Sequence, residues 1–202
     1  MSDERPDPVA LHRRAYSQDG YFTTAQGSEC GFSPQLLAHH VRSGRYERVR
    51  RGLYRLTGFP GSSSEEVRAK WMTVGADRAL VSHESALELH GLSDVLPNAV
   101  HLLVGREDRG IKPPAGVVLH TTNTPWAPED VTTVDGIRTT TPVRAIVDSV
   151  TAGTATDQIA LAIRQALAQG LVDVEQLELR ADKRGERVRN VVRAAIDQAD
   201  PR

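Results

Sequence analysis

Six arginines, Arg42, Arg45, Arg48, Arg50, Arg51 and Arg55, stand within fourteen residues and are opposed only by Glu47. Guanidinium groups at that density suit phosphate, because each presents a planar fork of donors carrying a permanent charge. The concentration is local. Residues 1–60 hold nine Arg and no Lys against six Asp and Glu, a balance of +3. The remainder holds sixteen basic and twenty acidic residues, a balance of −4. Just upstream, Gln35, Ala38, His39 and Arg42 recur at the spacing of one helical face. That face suits a major groove: Gln pairs bidentately with adenine, Arg with guanine, and Ala38 lets the backbone approach closely. An arginine-rich face is often no more than a solvated one, and arginine near a helix C-terminus also gains from the helix dipole. Six arginines on a single helix–hairpin unit tip the balance toward duplex DNA. RNA fits less well, since no aromatic stacking platform accompanies the cluster.

Other residues capable of chemistry are arranged less productively. His83, Glu84, Glu88 and His90 share a short segment without the HExxH spacing of a zinc helix, so an amphipathic helix packing Ala86, Leu87 and Leu89 is expected instead. The segment GSSSEE at 61–66 is similar to the Gly-Ser opening of nucleotidyltransferases, yet no Asp-x-Asp follows to hold a metal. Gly27, Gly31 and Gly52 do not make a phosphate loop. Asp148, four residues beyond Arg144, reads as a helical ion pair rather than a catalytic acid. The single cysteine, Cys30, forbids an internal disulfide and a cysteine-built zinc site. No catalytic residue, cofactor or metal is expected, and the protein does not read as an enzyme.

The elements that must position the basic face follow from local signals. Val9, Leu11 and Tyr16 lie on a first helix ending near Gly20. Thr23 caps a short second helix through Cys30, broken by Gly31. Ser33-Pro34 opens a third helix, with Phe32 and Leu37 at the spacing of a hydrophobic staple. Leu36, Leu37, His40 and Val41 form its inner face, so His40 is expected to be packed. Tyr46–Arg50 and Leu53–Thr57 form a hairpin around Arg51-Gly52. Helix, short helix, helix, hairpin is the order of a winged helix-turn-helix, with the ribbon from Arg45 to Arg55 placed to meet phosphates.

Gly58–Ser64 reads as a linker, dividing a DNA-binding domain at 1–60 from a second domain at 61–202. Ser63 and Glu66 suggest a capping box for a helix through about Val74. Ser82 is positioned to cap a helix from His83 to His90. Val100–Val104 and Val117–Thr121 read as strands. Val131–Val134 and Ile137–Thr141 flank Asp135-Gly136, a pair suited to a type I′ turn. Thr141-Pro142 starts a helix to about Val150, and helices fill the rest. The predicted class is α+β: a winged helix-turn-helix, then a mixed α/β domain with a small sheet and C-terminal helices.

With 202 residues and 39% hydrophobic content the chain can bury a real core, and no apolar run approaches a membrane span. Met1–Val9 is acidic and proline-rich, without the apolar core of a secretion signal, so a cytoplasmic protein is expected.

The stretch YFTTAQGSECGFSPQLLAHHVRSGRYERVRRGLYRL resembles the N-terminal domain of AbiEi-family antitoxins. The likeness continues in ALVSHESALELHGLSD (79–94), VHLLVG (100–105) and VTTVDGIRTTTPVRAIVDSV (131–150), in the same order, and covers most of 20–170. It implies an antitoxin that binds repeats in its own promoter and counters a nucleotidyltransferase-like toxin, without necessarily forming a stable complex. By the same resemblance, DNA contact falls on Ser33, Gln35, His39, Arg42, Arg45, Arg48, Arg50 and Arg51. A single winged helix makes few base contacts, so a monomer in solution or a dimer on operator DNA is expected. Some proteins with a similar middle region continue into a nuclease domain. This chain stops at Asp200-Pro201-Arg202, about where such a domain would begin, which favours a regulator. Two alternatives stay open: a stand-alone winged-helix regulator whose second domain senses a ligand or dimerises, and an interaction module left from the nuclease-bearing relatives.

Overall fold

The computed structural model describes residues 5–199, which form two compact units divided after Gly75. The opening Met1–Glu4 and the end Asp200–Arg202, weighed above for a leader and a further domain, lie outside the described residues.

The first unit runs α1 (Pro8–Tyr16), β1 (Tyr21–Thr23), α2 (Thr24–Glu29), α3 (Pro34–Arg42), β2 (Tyr46–Arg50), β3 (Leu53–Leu56) and α4 (Glu65–Val74). Side-chain caps start the helices that matter. Thr23 and Gln26 form a reciprocal capping box on α2, and Ser33 Oγ accepts from the Leu36 amide at 3.2 Å to open α3. Gly31 takes a left-handed φ of 79° between them, which ends α2 and lets the chain turn. Close packing of the pair depends on Gly27: a Cβ there would lie 3.2 Å from Leu37 Cδ1. Leu11, Ala15, Phe22, Phe32, Leu37, Tyr46, Tyr54 and Leu56 form one core.

Two features depart from expectation. The hairpin is joined by a third strand, β1, giving an antiparallel sheet of order β1-β3-β2. Three residues carry no alternation to read, and only pairing with β3 makes them a strand. The helix after the linker also belongs to the first unit rather than the second. Its Glu65 is bonded by Arg55 at 2.7 Å and by the Tyr21 hydroxyl at 3.1 Å, while the buried Arg68 reaches Asp19 at 2.7 Å. The expected capping box at Ser63 does not form: α4 starts after Ser64 without a side-chain capping bond, and Glu66 pairs with Lys70 instead.

The second unit comprises β4 (Ala79–Val81), α5 (His83–Leu89), β5 (Val100–Gly105), β6 (Val117–Thr122), β7 (Val131–Val134), β8 (Ile137–Thr140), α6 (Pro142–Ala152), α7 (Thr156–Ala168), α8 (Val174–Asp182) and α9 (Glu186–Ala199). Its sheet has the order β6-β5-β4-β8-β7. Central β4 pairs antiparallel with β5 and parallel with β8. At three residues, all buried, it too escapes sequence periodicity. The β7–β8 turn is type I′ as expected, with φ of 48° at Asp135 and 76° at Gly136. Asp173 caps α8 by accepting from the Gln176 amide at 2.7 Å. The class is α+β, and no helix among the described residues is long and apolar enough to cross a membrane.

The expected Arg144–Asp148 pair exists at 3.1 Å and is part of a larger buried network. Arg144 also bonds Asp130 at 2.7 Å, Arg180 bonds Asp130 at 2.8 Å, and Arg184 bonds Asp148. The network ties the approach to β7 to α6, α8 and the α8–α9 turn. Removing one partner strands a desolvated charge. Asp148→Ala is therefore expected to cost about 3–5 kcal/mol of unfolding free energy, read from denaturant melts; a loss under about 1 kcal/mol, the range of an exposed pair, would contradict this account.

Candidate functional site

Helix α3 is seated by its inner face. Leu37 is fully buried, Leu36 and Val41 are partly so, and the His40 ring sits 5.8 Å from Phe32 and 5.2 Å from Tyr46. Burial, then the nearby charges of Arg45 and His39, push the His40 imidazole below its ordinary range, as befits a packed rather than a base-reading residue. The opposite face is exposed throughout: Gln35, Ala38, His39 and Arg42 fall within an arc of about 100°. Ser33 is exposed beside them, with its hydroxyl occupied in capping.

The ribbon starts where α3 stops. Gly44 takes a φ of 75°, and the Arg45 amide bonds the His40 carbonyl at 3.0 Å, turning the chain into β2. Tyr46 points into the core while Arg45 and Arg48 remain exposed, as does Arg51 in the turn. A register shift between Arg48 and Arg50 breaks the alternation and leaves Arg50 half-buried, within electrostatic reach of Glu66. β2 is also an edge of its sheet, so its outer backbone groups are unpaired within it.

Among the described residues, Arg42, Arg45, Arg48, Arg50 and Arg51 form no ion pair. Other arginines of the unit do: Arg14 pairs with Glu29 and Arg55 with Glu65. Arg55 is the correction to the basic cluster. It lies 5.1 Å over the Tyr21 ring, bonds the Asp19 and Pro60 carbonyls, and is spent on holding α4 to the sheet. Five arginines, not six, are left to the basic surface.

Matches to two family models decide the affiliation. Residues 11–57 match a transcriptional regulator domain of AbiEi antitoxins, and residues 79–196 match the AbiEi antitoxin C-terminal domain. The chain belongs to the AbiEi antitoxin family. It is an antitoxin with a regulatory role. Its fold is similar to the crystal structure of the RV2827C protein from Mycobacterium tuberculosis, with a TM-score of 0.58 at 14% identity, covering 98% of this chain and 79% of that one. At that identity the likeness concerns the fold alone. No curated protein matches the chain.

The antitoxin C-terminal domain holds a second constellation, missed by the sequence reading. His83, His101 and His120 bring a nitrogen each within 4.8 Å of one another. His90, grouped with His83 in sequence, is instead turned to the Thr140 carbonyl at 2.8 Å. The spacings of 18 and 19 residues between the three match no metal motif; the β5–β6 register sets His101 beside His120, and the β4–α5 junction brings His83 to them.

Burial holds all four histidines of this unit below their ordinary range: His83 to about 2, His120 to about 4, His90 and His101 in the same direction. His83 is lowered further by the other two imidazoles and by Arg144 and Arg184, whereas Asp148 partly offsets the shift at His120. The native unit therefore stays unprotonated where the unfolded chain, titrating near 6.5, gains protons. Stability is full above 6.5 and falls with pH toward about 4 through His120 and about 2 through His83, at about 1.4 kcal/mol per pH unit for each histidine. Denaturant midpoints of the antitoxin domain are expected to drop between about pH 7 and about pH 5, and His90→Gln should flatten that slope. Identical midpoints at both values would refute the assignment.

Proposed function

We propose that this AbiEi antitoxin is a DNA-binding autorepressor, reading operator DNA with α3 and gripping phosphates with the β2–β3 ribbon. The observation that carries the reading is the exposed polar face of α3 continued by the ribbon, with five arginines that form no ion pair among the described residues, whereas Arg14, Arg55 and Arg68 of the same unit are held by carboxylates. Gln35, Ala38, His39 and Arg42 would meet base edges near the helix axis, and Ser33 would contact the backbone at the helix start. Arg45, Arg48, Arg50 and Arg51 would fix register and affinity without reading sequence. Two copies on adjacent half-sites would supply the specificity that one short helix lacks. The second domain, by the same proposal, opposes a nucleotidyltransferase-like toxin in the cytoplasm and performs no catalysis of its own. Linker, helix and hairpin thus serve regulation in the first unit, and neutralisation falls to the second.

Titration of fluorescent duplex carrying the chain's own promoter tests the DNA arm. With about five phosphate contacts the log–log salt slope is expected near −4 to −5; a slope near zero would exclude the electrostatic ribbon. Arg48→Ala with Arg51→Ala should weaken all duplexes alike, whereas Gln35→Ala should cost about 1–3 kcal/mol at one base position only. Arg55→Ala provides the contrast: it should lower stability by about 2 kcal/mol while leaving the salt slope unchanged. Rescue of growth on co-expression with the product of the adjacent gene tests the toxin arm, and failure of rescue would leave the stand-alone regulator as the better reading.

A further inference from the structure

We propose that His83, His101 and His120 form a three-imidazole binding site for a divalent transition metal of the zinc class. The inference is independent of DNA binding, since it concerns the antitoxin C-terminal domain alone. The three side chains come from separate elements: the β4–α5 junction, β5 and β6. His101 stands opposite Val118 in the parallel β5–β6 register, so His120, two residues on, shares its face of the sheet. His83 is brought against that face by two bonds to β5. The Ser82 amide donates to the His101 carbonyl at 3.0 Å, and the His101 amide donates to Ser85 Oγ at 3.0 Å.

The geometry is that of ligands gathered before an ion arrives. His101 Nδ1 and His120 Nε2 are 3.0 Å apart, and the His83 and His120 rings lie 3.5 Å apart at 18°. Imidazole nitrogens on one tetrahedral zinc, each about 2.0–2.1 Å from the metal, sit about 3.3 Å from one another. The nitrogens here already lie within 4.8 Å of one another, and a bound ion would turn the stacked His83 and His120 rings so that their lone pairs converge. His83 has the supporting hydrogen bond that metal-bound histidines show: its Nδ1 lies 2.9 Å from the fully buried Ser82 Oγ. With Nδ1 donating, the lone pair is on Nε2, which has no hydrogen-bond partner among the described residues.

A second observation marks His83. Its backbone is left-handed, with a φ of 52°, a conformation that costs a residue of this shape about 1 kcal/mol or more. The surroundings balance charge without supplying an anion cage: Arg144 and Arg184 act on His83, while Glu84 and Asp148 act on His101 and His120. Neutral nitrogen donors of this kind select zinc, cobalt, nickel or copper over magnesium or calcium. Three protein ligands leave a fourth position for water or an outside ligand.

The test uses the full chain stripped with a chelator and titrated with Co(II). One equivalent is expected to bind with the intense visible absorption of a low-coordinate site, and Zn(II) should displace it. Because the metal binds only the folded domain, the melting temperature should rise with Zn(II) concentration. His101→Asn and His120→Asn should each weaken binding by more than about 100-fold, beyond the 10–100-fold expected of Ser82→Ala, which removes an outer partner only. His12→Ala, in the other unit, should change nothing. No stoichiometric uptake by the wild-type chain, or uptake undiminished in the His101→Asn/His120→Asn double variant, overturns the proposal and leaves a hydrogen-bonded imidazole stack. Should those variants not fold, the paramagnetic proton spectrum of the wild-type cobalt form decides. Three shifted imidazole N–H signals support the site, and fewer overturn it.

Discussion

The regulatory half of this antitoxin depends on how α3 is held. Its exposed face is only as precise as the seating beneath it, and that seating is an aromatic and aliphatic wedge. Phe32 and Leu37 staple the helix start, and His40 is wedged between Phe32 and Tyr46. Tyr46 is also the first residue of β2, so one buried ring fixes both the helix and the ribbon that follows it. Phe22 and Tyr54 stack on the same core from β1 and β3. Displacing that wedge would loosen the base-facing and phosphate-facing groups together, although Phe32, Leu37 and Tyr46 are themselves buried.

Charge is partitioned by the same logic. Arginines that find a carboxylate become structural: Arg14, Arg55 and Arg68 lock neighbouring segments of the first unit. Those on the outer face of α3 and on edge strand β2 find none and keep their full field in solvent. The arrangement also protects the open edge of the sheet, because a row of arginines discourages pairing with another strand. In the antitoxin C-terminal domain the balance is reversed. Arg144, Arg180 and Arg184 are neutralised by Asp130 and Asp148 in a largely desolvated network, which knits α6 to the helices behind it.

That network and the three histidines share a consequence of burial. Ionised groups there survive by pairing, and the imidazoles survive by staying neutral. Neutral imidazoles crowded on one face of a sheet are donors with lone pairs to offer. A strained residue at the β4–α5 junction is the structural cost of bringing the third of them in.

Local chemistry determined much of this protein before any fold was known. The Thr23 and Ser33 caps, the Asp135-Gly136 turn, the Asp173 cap, the inward His40 and the Arg144–Asp148 pair are each set by residues within a few positions, where sequence distance and spatial distance coincide. The polar face of α3 was legible for the same reason, since helical period alone sorts Gln35, His39 and Arg42 from Leu37. Tertiary structure decided what no window could contain. Strands β1 and β4 are three residues long and exist because β3, β5 and β8 offer them partners. Arg55 left the basic surface because Glu65 and Tyr21 were folded against it, and α4 joined the first unit through the same contacts. His83 met His101 and His120 rather than His90 because strand register, not spacing along the chain, sets which side chains face one another.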